Sequence, residues 1–203
     1  MDANTPFPAS LSIDYPDREL NKVTTFFRPV LAVPILVVLG LVSGSGGRYD
    51  WWFGAGGILF IPTLLLILFR KKYPRWWFEW NVALVKFSTR CSAYLLLLRD
   101  EYPSTDEEQA VHIEILYPNV QELNSGMPLV KWILAIPHYL CLWALTVATI
   151  IVVIIAWFAI LFTGRYPKSL FDFVVGVCRW SLRVAAYAFL LITDRYPPFS
   201  LEP

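Results

Sequence analysis

The chain has 203 residues, a formal net charge of +1, 16% charged residues and 57% hydrophobic ones. Soluble domains lie nearer about 45–50% apolar and about 25% charged. The near-zero net charge gives no pull toward nucleic acid.

The first residues, Met1 to Pro8, are broken by prolines and lack a basic stretch followed by an apolar one. No cleaved signal peptide is expected. Leu11–Asp14 alternates apolar and polar residues, as a half-buried strand does, and Tyr15–Pro16 follows it. After a polar segment come Arg28 and an apolar run with an early proline, Pro34. The piece Pro29–Val42 is short for a bilayer crossing, whereas Trp51–Phe69 is adequate. Between them lie Ser43–Asp50 and the glycines at 54, 56 and 57, which could turn a hairpin or expose a loop on a kinked helix. The run closes with Arg70-Lys71-Lys72-Tyr73-Pro74-Arg75.

The next segment, Trp76–Leu98, is amphipathic. Read as a helix, it aligns Glu79, Lys86, Arg90 and Tyr94 on one face. Asp100-Glu101-Tyr102-Pro103 closes this half.

The same order then recurs. Val111–Glu114 and Tyr117–Pro118 match the first strand and its Tyr-Pro. Lys131 and Pro137 precede a longer apolar run, which is free of charge from Tyr139 to Phe162. That is enough to span a hydrocarbon core needing about 20 apolar residues. Arg165-Tyr166-Pro167-Lys168 ends it, and Leu170–Thr193 repeats the striped segment with Asp172, Arg179, Arg183 and Tyr187. Asp194-Arg195-Tyr196-Pro197 closes this half. Five elements recur in order, so the chain divides into two membrane repeats, 1–105 and 106–203.

The stripes admit two geometries. In one, both helices cross the membrane with the stripe turned inward, toward each other, a partner or a water-filled path. In the other, they lie in the interface with the stripe toward headgroups. Their lengths permit either, and the expectation leans to crossing. Functionally, each acid–base–arginine–tyrosine stripe is a candidate ligand or lipid site, because arginine's planar fork suits phosphate and carboxylate. Structurally, Glu79 with Lys86 and Asp172 with Arg179 could satisfy each other between helices. The strands could pair into a small extramembrane sheet, which would need a further strand, a helix or another subunit for support.

Chemistry-bearing motifs are absent: no nucleophile elbow, no His-Glu-x-x-His and no phosphate-cradling loop. Cys91, Cys141 and Cys178 form no cluster, and His112 and His138 stand without a ligand set. No cofactor and no metal are expected, and no enzyme. The basic turns after each apolar run, Arg70–Arg75 and Arg165–Lys168, belong in the cytoplasm by the positive-inside rule.

The stretches Ala159–Pro167, Leu170–Phe173, Arg179–Tyr187 and Asp194–Leu201 resemble a bacterial membrane-protein family, domain of unknown function 4389. The likeness is close in the second repeat and loose in the first, where Arg70-Lys71-Lys72 stands in place of Thr-Gly-Arg. The resemblance implies a bacterial inner-membrane location and supplies no activity.

The expectation is thus an all-α polytopic membrane protein of two tandem pseudo-symmetric repeats. Each repeat has a short extramembrane strand, a crossing helix and a polar-striped amphipathic helix. The expected function is non-enzymatic: a multi-pass scaffold or accessory subunit binding membrane lipids or a protein partner, with a homo-oligomer or a membrane-protein partner expected and no nucleic acid. The alternative is a small transporter or channel for an anionic solute, lined by the Arg/Lys stripes.

Overall fold

The computed structural model describes residues 6–43, 60–105, 107 and 109–202. Among them are seven helices and one two-stranded sheet. The glycine-rich break of the first apolar run, from 44 to 59, lies outside the described residues.

Strand β1 (Ala9–Ile13) pairs antiparallel with β2 (Val111–Ile115), placing Leu11 opposite Ile113. Alternation sends Ala9, Leu11, Ile13, Val111 and Ile113 inward, while Ser10, Ser12, His112 and Glu114 face out. Two strands alone are marginal in water. Here helices support them: β1 packs on α7 (Lys168–Ala188) and β2 on α4 (Arg75–Leu95).

Helix α1 (Lys22–Leu31) is capped by the Asn21 side chain, which accepts from the backbone N–H groups of Val23 and Thr24. It stops at Ala32, and α2 (Val33–Val42) resumes at a bend of 41°. The second half breaks in the same way, with α5 (Pro128–Leu134), Ala135 and α6 (Ile136–Thr163). Pro34 and Pro137 follow the two alanines, and a proline ring cannot accommodate the carbonyl four residues back. Ala32 and Ala135 are both 0% exposed, so the bends pack tightly. Helix α3 (Phe60–Arg70) is the described end of the first apolar run.

Helices α4 and α7 each end near a leucine in the left-handed region, Leu97 (φ 64°) and Leu191 (φ 56°). After α4, the N–H groups of Leu97 and Leu98 bond to the carbonyls of Tyr94 and Ala93, the pairing of a Schellman cap. Glycine usually takes this position, but both leucine side chains are buried.

Helix α6 is the one helix among the described residues that is itself long and apolar enough to cross a membrane; α1 and α2 pass that test together as a bent pair. Its buried residues, His138, Leu142, Thr149, Ala156 and Ile160, form a single stripe. Trp143, Ile150, Ile154, Phe158 and Phe162 are exposed apolar side chains on its other faces. A core helix of a soluble protein would bury those faces, and α6 is far from the N-terminus, where a signal sequence would lie. Helix α6 is therefore a candidate membrane helix.

Candidate functional site

The most deeply buried charges belong to two clusters built alike. In the first, Arg28 from the last turn of α1 reaches the C-terminal end of α4. Its Nη2 pairs with Asp100 Oδ1, and the two side chains are 2% and 10% exposed. Arg28 Nη1 also donates to the carbonyls of Tyr94 and Arg99, at 3.1 and 2.7 Å. Cations suit such a helix C-terminus because its last carbonyls have no intrahelical donors. The guanidinium lies 4.6 Å from the Tyr94 ring centroid. The other Asp100 oxygen accepts from the Asn21 backbone N–H at 2.7 Å. One carboxylate thus ties the start of α1 to its end and to α4.

In the second cluster Lys131 of α5, 0% exposed, pairs with Asp194 Oδ1 at 2.7 Å. Its Nζ donates to the Thr193 carbonyl and lies 5.3 Å from the Tyr187 ring centroid. Asp194 Oδ2 accepts from the Asn124 backbone N–H at 2.8 Å. Burial pulls the Lys131 ammonium below its ordinary pKa, against the opposing pull of Asp194.

The tyrosines after the strands interlock the halves. Tyr15 donates to the Tyr166 carbonyl, and Tyr117 to the Tyr73 carbonyl. Phe171 packs edge-on against Tyr15 and Tyr166, as Phe78 does against Tyr73 and Tyr117. The strands therefore lie beside both basic turns rather than opposite them.

The candidate stripe residues divide by role. Glu79 is exposed and pairs with Arg75 at 3.3 Å, not with Lys86. Lys86 is half-buried and has no ion-pair partner among the described residues. Arg90 donates to the Ser104 carbonyl at 2.9 Å. Asp172 is exposed. Arg179 donates to the carbonyls of Leu11 in β1 and Leu201, at 3.0 and 2.9 Å. Arg183 donates to the carbonyls of Ser200 and Glu202, at 3.5 and 2.6 Å. Tyr94 and Tyr187 join the buried cation clusters. The pairing of Asp172 with Arg179 considered from sequence gives way to backbone acceptors, because the chain end runs back along α7 within reach of both arginines.

That chain end is packed closely. A Cβ at Gly176 would meet Leu201 Cβ at 2.9 Å and Leu201 O at 3.0 Å. Phe199 stacks on the His138 ring at 4.0 Å between centroids, and Trp180 Nε1 donates to His138 Nδ1 at 3.1 Å. On the sheet side, a polar cavity of about 670 Å³ lies over Asp14, Asp17, Arg18, Arg99 and Asp100. There the Arg99 guanidinium holds the Glu101 carboxyl below its ordinary range. Among the described residues no group of His, Cys, Asp and Glu could hold a metal ion.

Residues 128–200 match the family model for a domain of unknown function, DUF4389. This segment is a DUF4389 domain. No curated protein and no solved structure matches the chain.

The DUF4389 segment contains α5, α6 and α7, the Lys131–Asp194 cluster and most of the returning chain end. Its two internal signatures, the basic residue before the apolar run and the closing Asp-x-Tyr-Pro, are the partners of one ion pair. In the sequence Arg28, Lys131, Asp100 and Asp194 are visible only as recurring markers. Their recurrence at matched places was the signal that could have paired them.

Proposed function

We propose that this protein is a non-enzymatic membrane-embedded scaffold, or an accessory subunit of a larger membrane assembly, built from two tandem repeats in a bacterial inner membrane. The observation that carries this reading is α6, which buries one stripe and leaves its remaining apolar faces uncovered along its length. Lipid is the solvent that such faces require. The repeat reading draws support from the matched contacts of Arg28 with Asp100 and Lys131 with Asp194, and from the crossed tyrosine bonds.

In this proposal α4 and α7 lie along the membrane surface instead of crossing. Beside α7, Arg179 meets the β1 backbone and the irregular segment at Leu201. Open sheet edges and irregular backbone facing lipid do not occur in the hydrocarbon region. The outward row Ser10, Ser12, His112 and Glu114 is polar and belongs in water. The sheet then faces the cytoplasm beside the two basic turns, while the apolar faces of α1, α2, α3 and α6 sit in lipid. Multi-pass topology is carried by the apolar runs alone. The scaffold reading is favoured over an anion path because Arg90, Arg179 and Arg183 already donate to backbone carbonyls.

Cysteine accessibility tests this in a cysteine-free background. Ser12→Cys, Glu79→Cys and Asp172→Cys should react with an impermeant maleimide only from the cytoplasmic face, and Ile150→Cys from neither. Labelling of Lys168→Cys, at the start of α7, and Arg195→Cys, in the segment that follows its end, from opposite faces would refute the surface placement. Anion flux through reconstituted vesicles that is abolished by Arg90→Ala or Arg183→Ala would refute the scaffold reading.

A further inference from the structure

Between α1 and the second half of α6, an open groove of about 240 Å³ indents the apolar side of the protein. Pro29, Leu97, Val153 and Trp157 wall it, with Thr25 and Arg28 also in its lining. Those two are 0% and 1% exposed. Thr25 Oγ1 and Arg28 Nε are nonetheless buried without a hydrogen-bond partner. Buried polar atoms are nearly always satisfied, so two together on one apolar groove point to an acceptor supplied from outside the chain.

The chemistry of that acceptor follows from the groove. Arg28 Nε can only donate, and a threonine hydroxyl can donate or accept. A single oxygen with two lone pairs serves both. The Arg28 charge is already matched by Asp100, so a second full negative charge is not called for. A neutral carbonyl fits better than a carboxylate. The walls are apolar, and the volume is below the ~300–1,000 Å³ of pockets for drug-sized ligands, which suits one chain and not a ring system. Exposed Ile154 lines the groove and exposed Phe26 stacks on its wall residue Trp157, so the approach is from the apolar side of the protein. The position aligned with Thr25 in the second half is Pro128, which has no hydroxyl.

We propose that this groove binds one acyl chain of a membrane phospholipid. The ester carbonyl accepts from Arg28 Nε–H and Thr25 Oγ1–H, and the chain lies against Val153 and Trp157. The proposal rests on the membrane reading above and adds a specific lipid site to it.

The test uses the full chain in vesicles of phosphatidylethanolamine and phosphatidylglycerol, doped with a phospholipid carrying a diazirine near the ester end of one chain. After irradiation, adducts should concentrate on α1 and on residues 153–157. Thr25→Val should lower them about fivefold, the equivalent of one net hydrogen bond. Val153→Trp, which fills the groove, should nearly abolish them. Thr25→Val is close in shape and removes an unpartnered hydroxyl, so a merely structural role predicts equal or higher stability in detergent and unchanged labelling. Adducts spread evenly over α2 and α6 and insensitive to both variants would overturn the site. Equal or stronger labelling by a free diazirine fatty acid would overturn the ester assignment. No adduct on any helix, together with release from the vesicles by alkaline carbonate, would sink the membrane reading itself.

Discussion

The two buried ion pairs should respond differently to loss of their aspartates, because one cation can discharge and the other cannot. In Asp100→Ala, Arg28 stays charged with its side chain 2% exposed. Breaking a buried pair destabilises by about 3–5 kcal/mol. Arg28 keeps the carbonyls of Tyr94 and Arg99 and the Tyr94 ring, so the low end applies, about 3 kcal/mol. For a chain of this size that lowers the thermal midpoint by about 6–12 °C. In Asp194→Ala, the two influences that raise the Lys131 pKa, the hydrogen bond and the charge of Asp194, both disappear. The folded pKa of Lys131 then drops further below its unfolded value of about 10.4. Between those two values the unfolded state holds a proton that the folded state lacks, so stability rises with pH. The Asp194→Ala deficit should be the smaller wherever the pH lies above the variant's Lys131 pKa. It should narrow as pH rises through the interval between the variant's Lys131 pKa and that of the wild type. The Asp100→Ala deficit should stay flat over the same interval. Thermal midpoints in a mild detergent, taken in steps across the neutral to alkaline range, read both. Equal losses with the same pH dependence would refute the reasoning.

Further outcomes follow from particular contacts. Gly176→Ala should push residues 196–202 off α7 at a cost of about 1–3 kcal/mol, seen as faster amide hydrogen exchange in that segment. Leu191→Gly relieves a left-handed leucine worth about 1 kcal/mol but empties a fully buried site, for a net loss of about 2 kcal/mol in chemical denaturation. A rise in stability there would mean that backbone strain outweighs packing. Tyr117→Phe should lose about 1 kcal/mol through its bond to the Tyr73 carbonyl, and urea unfolding would detect it. Glu101 has a lowered folded pKa, so its contribution is present above about pH 4.3 and fades as pH falls through the lower folded value. With both partners partly exposed the effect is small, and Glu101→Gln should flatten the acid limb by about 0.2–1 kcal/mol.

Local pattern was enough to read much of this molecule. Uniform apolarity specifies α6, since any partner for such a surface must itself be apolar. Period-two alternation specifies β1 and β2, and proline places the breaks at Ala32 and Ala135, because these features act through the chain's own neighbours. What depends on contacts distant in sequence was not legible. Arg28 and Asp100 are 72 positions apart, and Arg179 reaches a carbonyl 168 positions away. The stripe arginines looked available for a ligand because a helix wheel cannot show that a strand and the chain end supply carbonyls against α7. The sequence by itself determined which segments are apolar along their length and which local markers recur along the chain. Only the tertiary structure decided which buried charges meet, because the penalty for burying an arginine or a lysine is offset by whichever carboxylate and carbonyls the fold brings within reach.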